Sequence, residues 1–314
     1  MRLNAPTLFM NGDGDSITRK IALIGNPNSG KSTVFNLLTG LRQRTGNFPG
    51  VTVEAKQGTL RLPAGKEAVL FDFPGTYSLY PTSSDEKVVA SVLSNPQDPF
   101  FPDAILFVAD ATKLEKHVLL FTQLCDLNIP ILLALNMSDS AEELGIKVNA
   151  SALSEAFQVP VIPISGRTGQ NTQRLFLELE KILDAPSATK TTPFYPLSEA
   201  EKIVSQAIRQ NLNVENPYRA LLLAHHAEWL PFLTVGARQT LTAIVETKHF
   251  QSLRSQVEET LERYDRFTPL VKKAIITPPV FPNTPTDRLD AILTHRVGPA
   301  DIFRGDVVDV SGYF

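Results

Sequence analysis

Only one cysteine, Cys125, occurs in the 314-residue chain, so an internal disulfide framework is excluded and a reducing compartment fits. No apolar run approaches the roughly 20 residues that a membrane-spanning helix needs. Charge of one sign is also missing: 30 Lys and Arg face 33 Asp and Glu, for a net charge of −3. That balance gives no basic stripe and argues against a nucleic acid partner. The N-terminal stretch Met1 to Thr18 has no apolar core of signal-peptide type and carries Asp13 and Asp15, so it is expected to be a disordered leader. The histidines are few and scattered: His117, the pair His225-His226 in an apolar helix, His249 and His295. Such spacing does not converge on a metal centre. What remains is an ordinary globular composition, 43% hydrophobic and 20% charged, at a length that suggests about two domains. Cys125 falls in an apolar helical stretch, where a packing role is expected.

From about Lys20 to Leu183, short β-rich apolar runs alternate with helical patterns. The expected strands are Ile21 to Ile24, Val69 to Asp72, Ala104 to Ala109, Ile131 to Leu135 and Val161 to Ile164. The expected helices between them are Lys31 to Thr39, Asp85 to Ser94, Leu114 to Leu127 and Ser151 to Phe157. This order predicts crossover units, a mostly parallel sheet covered on both faces, and functional loops at the strands' carboxyl ends. A linker follows near Asp184 to Pro193. Beyond it, Ser198 to Gln210, Tyr218 to Ala227, Val235 to Thr247 and Gln251 to Tyr264 read as helices of a small bundle. Ser198-Glu199-Ala200-Glu201 has the form of a capping box. A proline-rich stretch, Thr277 to Pro285, precedes a short terminal segment. The expected domains are therefore 1–18 as leader, 19–184 as an α/β unit, 185–276 as an all-α unit, and 277–314 as linker and tail.

The α/β unit carries its chemistry in loops. Gly25-Asn26-Pro27-Asn28-Ser29-Gly30-Lys31-Ser32 lies between a strand and a helix, the context of a phosphate-binding loop. Its backbone N–H groups form an anion nest, and the helix N-terminus adds partial positive charge. Lys31 can reach the terminal phosphates, Ser32 can ligate Mg²⁺, and Thr33 follows directly. Asp72-Phe73-Pro74-Gly75 ends the next apolar strand. There the carboxylate can hold Mg²⁺ through water, and the Gly75 amide can reach a γ-phosphate. A turn after a strand would use the same Pro-Gly pair, but the phosphate loop upstream favours the metal reading. Asn136-Met137-Ser138-Asp139 ends a later strand. Asp139 can accept the two N–H donors of guanine that adenine does not offer, although Asn and Asp also cap helices. Ser165-Gly166-Arg167 would complete a base pocket through backbone amides. Between the first two motifs, Thr45 to Glu54 reads as a glycine- and proline-bearing mobile loop leading into an edge strand. Its Thr52 could complete the Mg²⁺ shell.

The ordered motifs resemble the small G-protein family over about Arg19 to Leu183. Within that span, GNPNSGKST, RTGNFPGVTVE, DFPGTYSL and NMSD resemble the FeoB family of bacterial ferrous-iron transporters. RTGNFPGVTVE and DFPGTYSL are the most discriminating of these. NPYRALLLA, ERYDRF and TDRLDAILTHRV resemble that family's helical domain and the approach to its first membrane helix. Met137 stands where other G proteins carry lysine but fits this family, while Gly166 departs from a more usual alanine.

The resemblance implies an α/β GTPase fold with a doubly wound, mostly parallel sheet, followed by a small all-α domain. It implies GTP and GDP as ligands. Gly25, Asn26, Asn28, Ser29, Gly30, Lys31, Ser32 and Thr33 would hold the phosphates, and Asp72 and Gly75 would lie at the γ-phosphate. Asn136, Met137, Asp139, Ser165, Gly166 and Arg167 would surround the base. Ser32, Thr52 and Asp72 would ligate Mg²⁺. Asn28 would help hold an activating K⁺ that supplies charge in the transition state. Lys31, Asn28, Thr52 and Gly75 would serve catalysis by position and charge. Thr76 follows Gly75 where many G proteins carry a water-orienting glutamine, so slow intrinsic hydrolysis is expected and no side chain stands out as a base. The helical domain would favour GDP binding. The implied partners are a membrane transport domain, small cytosolic iron-transport accessory proteins and copies of the same chain. The implied location is the cytoplasm, on the inner face of the plasma membrane for a full-length member. After Pro299 the expected long apolar helix is replaced by Ala300-Asp301-Ile302-Phe303-Arg304, which suggests a frameshift or a truncation with foreign residues. A ribosome- or tRNA-associated GTPase would share the nucleotide motifs, but it would bring a basic RNA-binding unit, which is not seen. A nucleotide-dependent scaffold that does not hydrolyse GTP is a third reading.

Overall fold

The computed structural model of the protein describes residues 19–40, 43–48, 53–184 and 192–276. Thr52, the leader, the linker around Pro186 and everything after Ile276 lie outside the described residues. The α/β part runs β1 (Arg19–Ile24), α1 (Lys31–Thr39), β2 (Gln43–Asn47), β3 (Glu54–Arg61), β4 (Glu67–Asp72), α2 (Ser84–Ser94), β5 (Ala104–Asp110), α3 (Val118–Cys125), β6 (Ile131–Asn136), α4 (Ser138–Glu143), β7 (Lys147–Val148), α5 (Ala150–Phe157), β8 (Val161–Pro163) and α6 (Thr172–Asp184). The helical part follows as α7 (Glu199–Leu212), α8 (Pro217–His226), α9 (Val235–Thr247) and α10 (Ser252–Ala274), with the short strand β9 (Ile275–Ile276). All of this belongs to one compact unit that ends at Ile276.

The central sheet has the order β2-β3-β4-β1-β5-β6-β8. Pairing is parallel from β4 across to β8, and β2 and β3 run antiparallel at one side. Each central strand has an apolar middle, with polar residues only at its ends, because both its faces are covered. The two-residue alternation divides it between two cores. Ala22, Ile24, Phe107 and Leu133 point into the core shared with the helical part, while Ile21, Leu23, Leu106 and Leu132 point toward the core that includes Leu175 and Leu179 of α6.

Four expectations need correction. The segment Thr45 to Asn47 is not a loop: it belongs to β2, which pairs with β3 from Gln43↔Gly58 to Asn47↔Glu54. The Glu54 strand is therefore internal and β2 is the edge. Backbone pairing, closed by Phe48 N–H donating to Val53 O at 3.0 Å, overrides the poor strand propensity of Gly46 and Asn47. Leu114 to Leu127 is not one helix, because a 3₁₀ turn over Ala111–Lys116 gives way to α3 only at Val118. The last helix does not end at Tyr264 but runs through Pro269 to Ala274. Pro269 is exposed, so the carbonyl that loses its donor can turn to water. Finally, α6 lies outside the expected helices, although Leu175, Leu179 and Leu183 carry helical spacing and form its buried face.

The helices of the second part begin as their sequences dictate. The Ser198 hydroxyl accepts from the Glu201 amide, and the Glu201 carboxylate accepts from the Ser198 amide, closing the capping box. Asn216 caps α8 with a proline at its first turn, and Thr234 caps α9. The C-terminal end of α10 is tied back to the α/β part by the β7–β9 ladder and by Asn149 N–H donating to Ala274 O at 2.8 Å.

Candidate functional site

The carboxyl ends of β1, β4, β6 and β8 place the four sequence motifs around one face of the molecule. The loop after β1 turns sharply. Asn28 and Gly30 both sit in the left-handed region, at φ 63° and 83°. Glycine is required at two points: a Cβ on Gly25 would lie 2.3 Å from Val108 O, and one on Gly30 would lie 2.2 Å from Asn136 Nδ2. Lys31 is buried, and its ammonium donates to the carbonyls of Gly25 (3.1 Å) and Asn26 (3.2 Å). Ser32 and Thr33 are exposed on the first turn of α1, which carries no acidic residue to offset the helix dipole.

Asp72 ends β4 beside this loop. Burial raises its pKa and lowers that of Lys31, and attraction between the two opposes both shifts. Asp72 Oδ1, Ser29 Oγ and Asn26 Oδ1 are buried and make no hydrogen bond among the described residues. Gly75 packs against the loop so closely that a Cβ there would stand 3.0 Å from Pro27. Thr76 is fully buried, with its hydroxyl donating to Ser78 O at 2.8 Å.

On the other side, Asn136 does something the sequence did not reveal. Its Nδ2 donates to Ser29 O (3.0 Å) and its Oδ1 accepts from Gly166 N–H (2.9 Å), so one buried amide ties the phosphate loop to the loop after β8. The Gly166 amide, expected to face a base, is thus engaged with Asn136. Met137 takes a left-handed conformation (φ 62°) at the start of α4 and puts its methyl group near Gly30. Asp139 sits in the first turn of α4. Partial burial works against its charge, but hydrogen bonds from the Arg167 side chain, the Ser140 amide and the Ser165 hydroxyl outweigh that and hold its pKa below the usual value. Every expected site residue but Thr52 is therefore brought to this face; Thr52 lies outside the described residues.

The segment after Gly75 is held by both parts of the chain. Leu79 N–H donates to Gln123 Oε1 on α3, and His226 Nε2 on α8 donates to Leu79 O, each at 2.8 Å. The Tyr80 hydroxyl bonds Glu259 of α10. No local pattern could have found these contacts, which join residues far apart in the sequence.

Residues 19–179 match the family described as Ferrous iron transport protein B. The chain belongs to that family. It is 32% identical over 300 residues to the Fe(2+) transporter FeoB of Staphylococcus aureus, covering 90% of this chain and 42% of that protein. The chain thus spans less than half the length of that relative. Among solved structures, the cytosolic domain of L. pneumophila FeoB superposes with a TM-score of 0.66 at 31% identity, over 82% of this chain and all of that one. A GDP-bound single-residue mutant of the S. thermophilus FeoB G-domain gives 0.65 at 31% identity, again over 82% of this chain and all of that one. The chain therefore carries the N-terminal G domain of this family. Among the described residues no helix is long and apolar enough to cross a membrane.

Proposed function

We propose that the chain binds and hydrolyses GTP as the G-domain portion of a ferrous-iron uptake protein. The observation that carries this reading is the loop of Gly25 to Ser32. Its backbone is bent for an anion nest, Lys31 lies beside it, and the buried Asp72 Oδ1 near it has no hydrogen-bond partner among the described residues. The GDP carried by the S. thermophilus relative supports a guanine nucleotide as ligand. Gly25, Asn26, Asn28, Ser29, Gly30, Lys31, Ser32 and Thr33 would hold the phosphates, with the Gly75 amide at the γ-phosphate. Met137, Asp139 and the 165–167 loop would surround guanine, with Asn136 as the brace between the two loops.

The donor set fits Mg²⁺: an uncommitted carboxylate oxygen on Asp72 and the exposed Ser32 hydroxyl are the hard oxygen ligands this ion takes. Thr52 is proposed as a further ligand. Mg²⁺ supplies charge neutralisation at the β- and γ-phosphates when bound. Asn28, exposed at the tip of the loop, is proposed to help hold K⁺ there. The Thr76 hydroxyl is committed to Ser78, so it does not orient water. Hydrolysis then rests on positioning by Lys31, Asn28, Thr52 and Gly75, and is slow. The fuller role is that of a nucleotide-dependent switch for a membrane transport domain, with helices α7 to α10 favouring the GDP state. Small iron-transport accessory proteins and copies of the chain are further proposed partners. The proposed setting is the cytoplasmic face of the plasma membrane. Divisions at about 184 and 276 remain the proposed limits of the nucleotide-binding and helical domains.

Single-turnover hydrolysis of GTP, measured in K⁺ and in Na⁺ with Mg²⁺ present, tests this reading. Turnover faster in K⁺ is expected, and Asn28→Ala should remove the difference. Absence of turnover in both salts would overturn the enzyme.

A further inference from the structure

Arg167 was expected near the base through its backbone, but its side chain does more. The guanidinium closes on one oxygen of Asp139 with two nitrogens: Nε donates to Oδ2 at 2.8 Å, and Nη2 lies 2.7 Å from the same atom. The same Nη2 reaches Glu143 Oε1 at 3.1 Å, one turn further along α4. The Ser140 amide and the Ser165 hydroxyl also favour the charged form of Asp139. A carboxylate offers about four acceptor positions, and the guanidinium covers those of Oδ2 with two nitrogens. Guanine would bring two donors of its own, N1–H and the 2-amino group, to that carboxylate. For guanine to reach Oδ2, the guanidinium must withdraw. The Ser140 amide is fixed by the helix and Ser165 is fully buried, whereas Arg167 is two-thirds exposed (66%) and has a second carboxylate within reach.

We propose that Arg167 sets the affinity and specificity of the base pocket by competing with guanine for Asp139 Oδ2, with Glu143 as the acceptor to which its guanidinium retreats when guanine is held. The inference rests on the guanine-nucleotide reading above. It gives opposite signs to two neighbouring charge removals. Arg167→Ala frees the carboxylate and tightens GDP. Glu143→Gln takes away the retreat, leaves Arg167 on Asp139 and weakens GDP. Exposed ion pairs are weak, so each change should be roughly two- to five-fold.

Calorimetric titration with GDP and with inosine diphosphate, on the whole chain, tests the proposal. Inosine lacks the 2-amino group and asks for one acceptor position instead of two, so Arg167→Ala should tighten GDP more than inosine diphosphate. The double variant should bind like Arg167→Ala, because Glu143 acts only through the guanidinium. The difference between wild type and Arg167→Ala should also shrink in high salt. A mere supporting role for Arg167 predicts the reverse, with Arg167→Ala binding GDP more weakly. That result, unchanged GDP affinity, or equal tightening of both nucleotides would overturn the proposal. Wild-type protein that bound no guanine nucleotide at all would sink the functional reading together with it.

Discussion

Two polar regions of this chain handle buried charge in opposite ways. At the phosphate loop, polar atoms are buried without partners among the described residues, and the backbone is bent into left-handed conformations. Lys31 there donates to main-chain carbonyls. Between α3, α8 and α10, charge is buried more deeply and paired with opposite charge, although Arg263 Nη1 makes no hydrogen bond among the described residues. Arg263 is fully buried, with Nε donating to Glu259 (2.7 Å) and Nη2 2.7 Å from Asp126. Its guanidinium stacks near the rings of Tyr195 and Tyr218. Glu259 also accepts from the hydroxyls of Tyr80 and Tyr218, and Asp126 from the amides of Phe194 and Tyr195. The first region is arranged for something to arrive. The second holds the helical part against the sheet and, through Tyr80, grips the segment that follows the Asp72 motif.

The strongest way to break this comparison is to leave one side of the second region unpaired. Arg263→Ala strands two buried carboxylates, and removing one member of a buried ion pair costs about 3–5 kcal/mol. Urea unfolding should show a loss of that size. A loss below about 1 kcal/mol would mean that water replaces the guanidinium and the cluster holds little together. Asp126 sharpens the point, because burial already raises its pKa and the attraction of Arg263 works against that rise.

Next in size is a dependence on pH. Burial lowers His117 and His226 from 6.5 to about 4, and His225 to about 3. The unfolded chain takes up these protons near 6.5 and the folded chain resists until about 4. Stability is therefore fully present above pH 6.5 and is lost as pH falls toward 4. His226 alone contributes on the order of 3 kcal/mol across that window. His226→Gln keeps a donor for Leu79 O without the titration, so its stability should fall less steeply from pH 6.5 to 4 in urea titrations. An unchanged slope would assign the acid sensitivity elsewhere.

The phosphate loop should respond in another way. Gly30→Ala forces an L-residue to φ 83° and drives its Cβ into Asn136 Nδ2. The backbone cost alone is about 1–2 kcal/mol. The brace from Asn136 to Ser29 and Gly166 would then shift. We expect a modest loss in urea stability but a far larger loss of GDP affinity by calorimetry, the converse of Arg263→Ala. Equal effects on both would erase the distinction between the regions.

How much of this was legible follows from range. The sheet strands could be read because a buried parallel strand is a continuous apolar run, so Ile105 to Ala109 stand out without any alternation. The α1 boundaries could be read because Gly30 and Gly40 bracket the helix. The candidate site motifs are local strings, so the positions of Lys31, Asp72 and Asp139 at or beyond strand ends can be read from sequence alone. The edge strand β2 was hidden because Gly46 and Asn47 signal a loop, and only its pairing with β3 makes it a strand. The pair Glu259 and Arg263 has the four-residue spacing of a surface helix ion pair. Nothing local says that it is buried, since Asp126 comes from the end of α3 and Tyr80 from another loop. The same holds for Asn136, which looks like a base contact in its motif and acts as a bridge.

The smallest predicted effect concerns Gly166. A Cβ there would lie 3.2 Å from Thr33 Cγ2, 3.3 Å from Asn136 Oδ1 and 3.4 Å from Val34 Cγ2. Each contact is tight but asks a side chain to move only a few tenths of an ångström. Gly166 does not adopt a positive φ, so alanine also restricts the unfolded chain, which favours folding by roughly 0.4–1 kcal/mol. The two effects oppose each other, and Gly166→Ala should change urea stability by less than about 1 kcal/mol. Its effect on GDP should be clearer, because Asn136 Oδ1 is the acceptor for the Gly166 amide and any displacement is passed to Ser29 through Nδ2. A change in GDP affinity without a change in stability would identify Asn136 as the element through which the base loop and the phosphate loop are coupled. Unchanged affinity would show that the two loops bind their parts of the nucleotide independently.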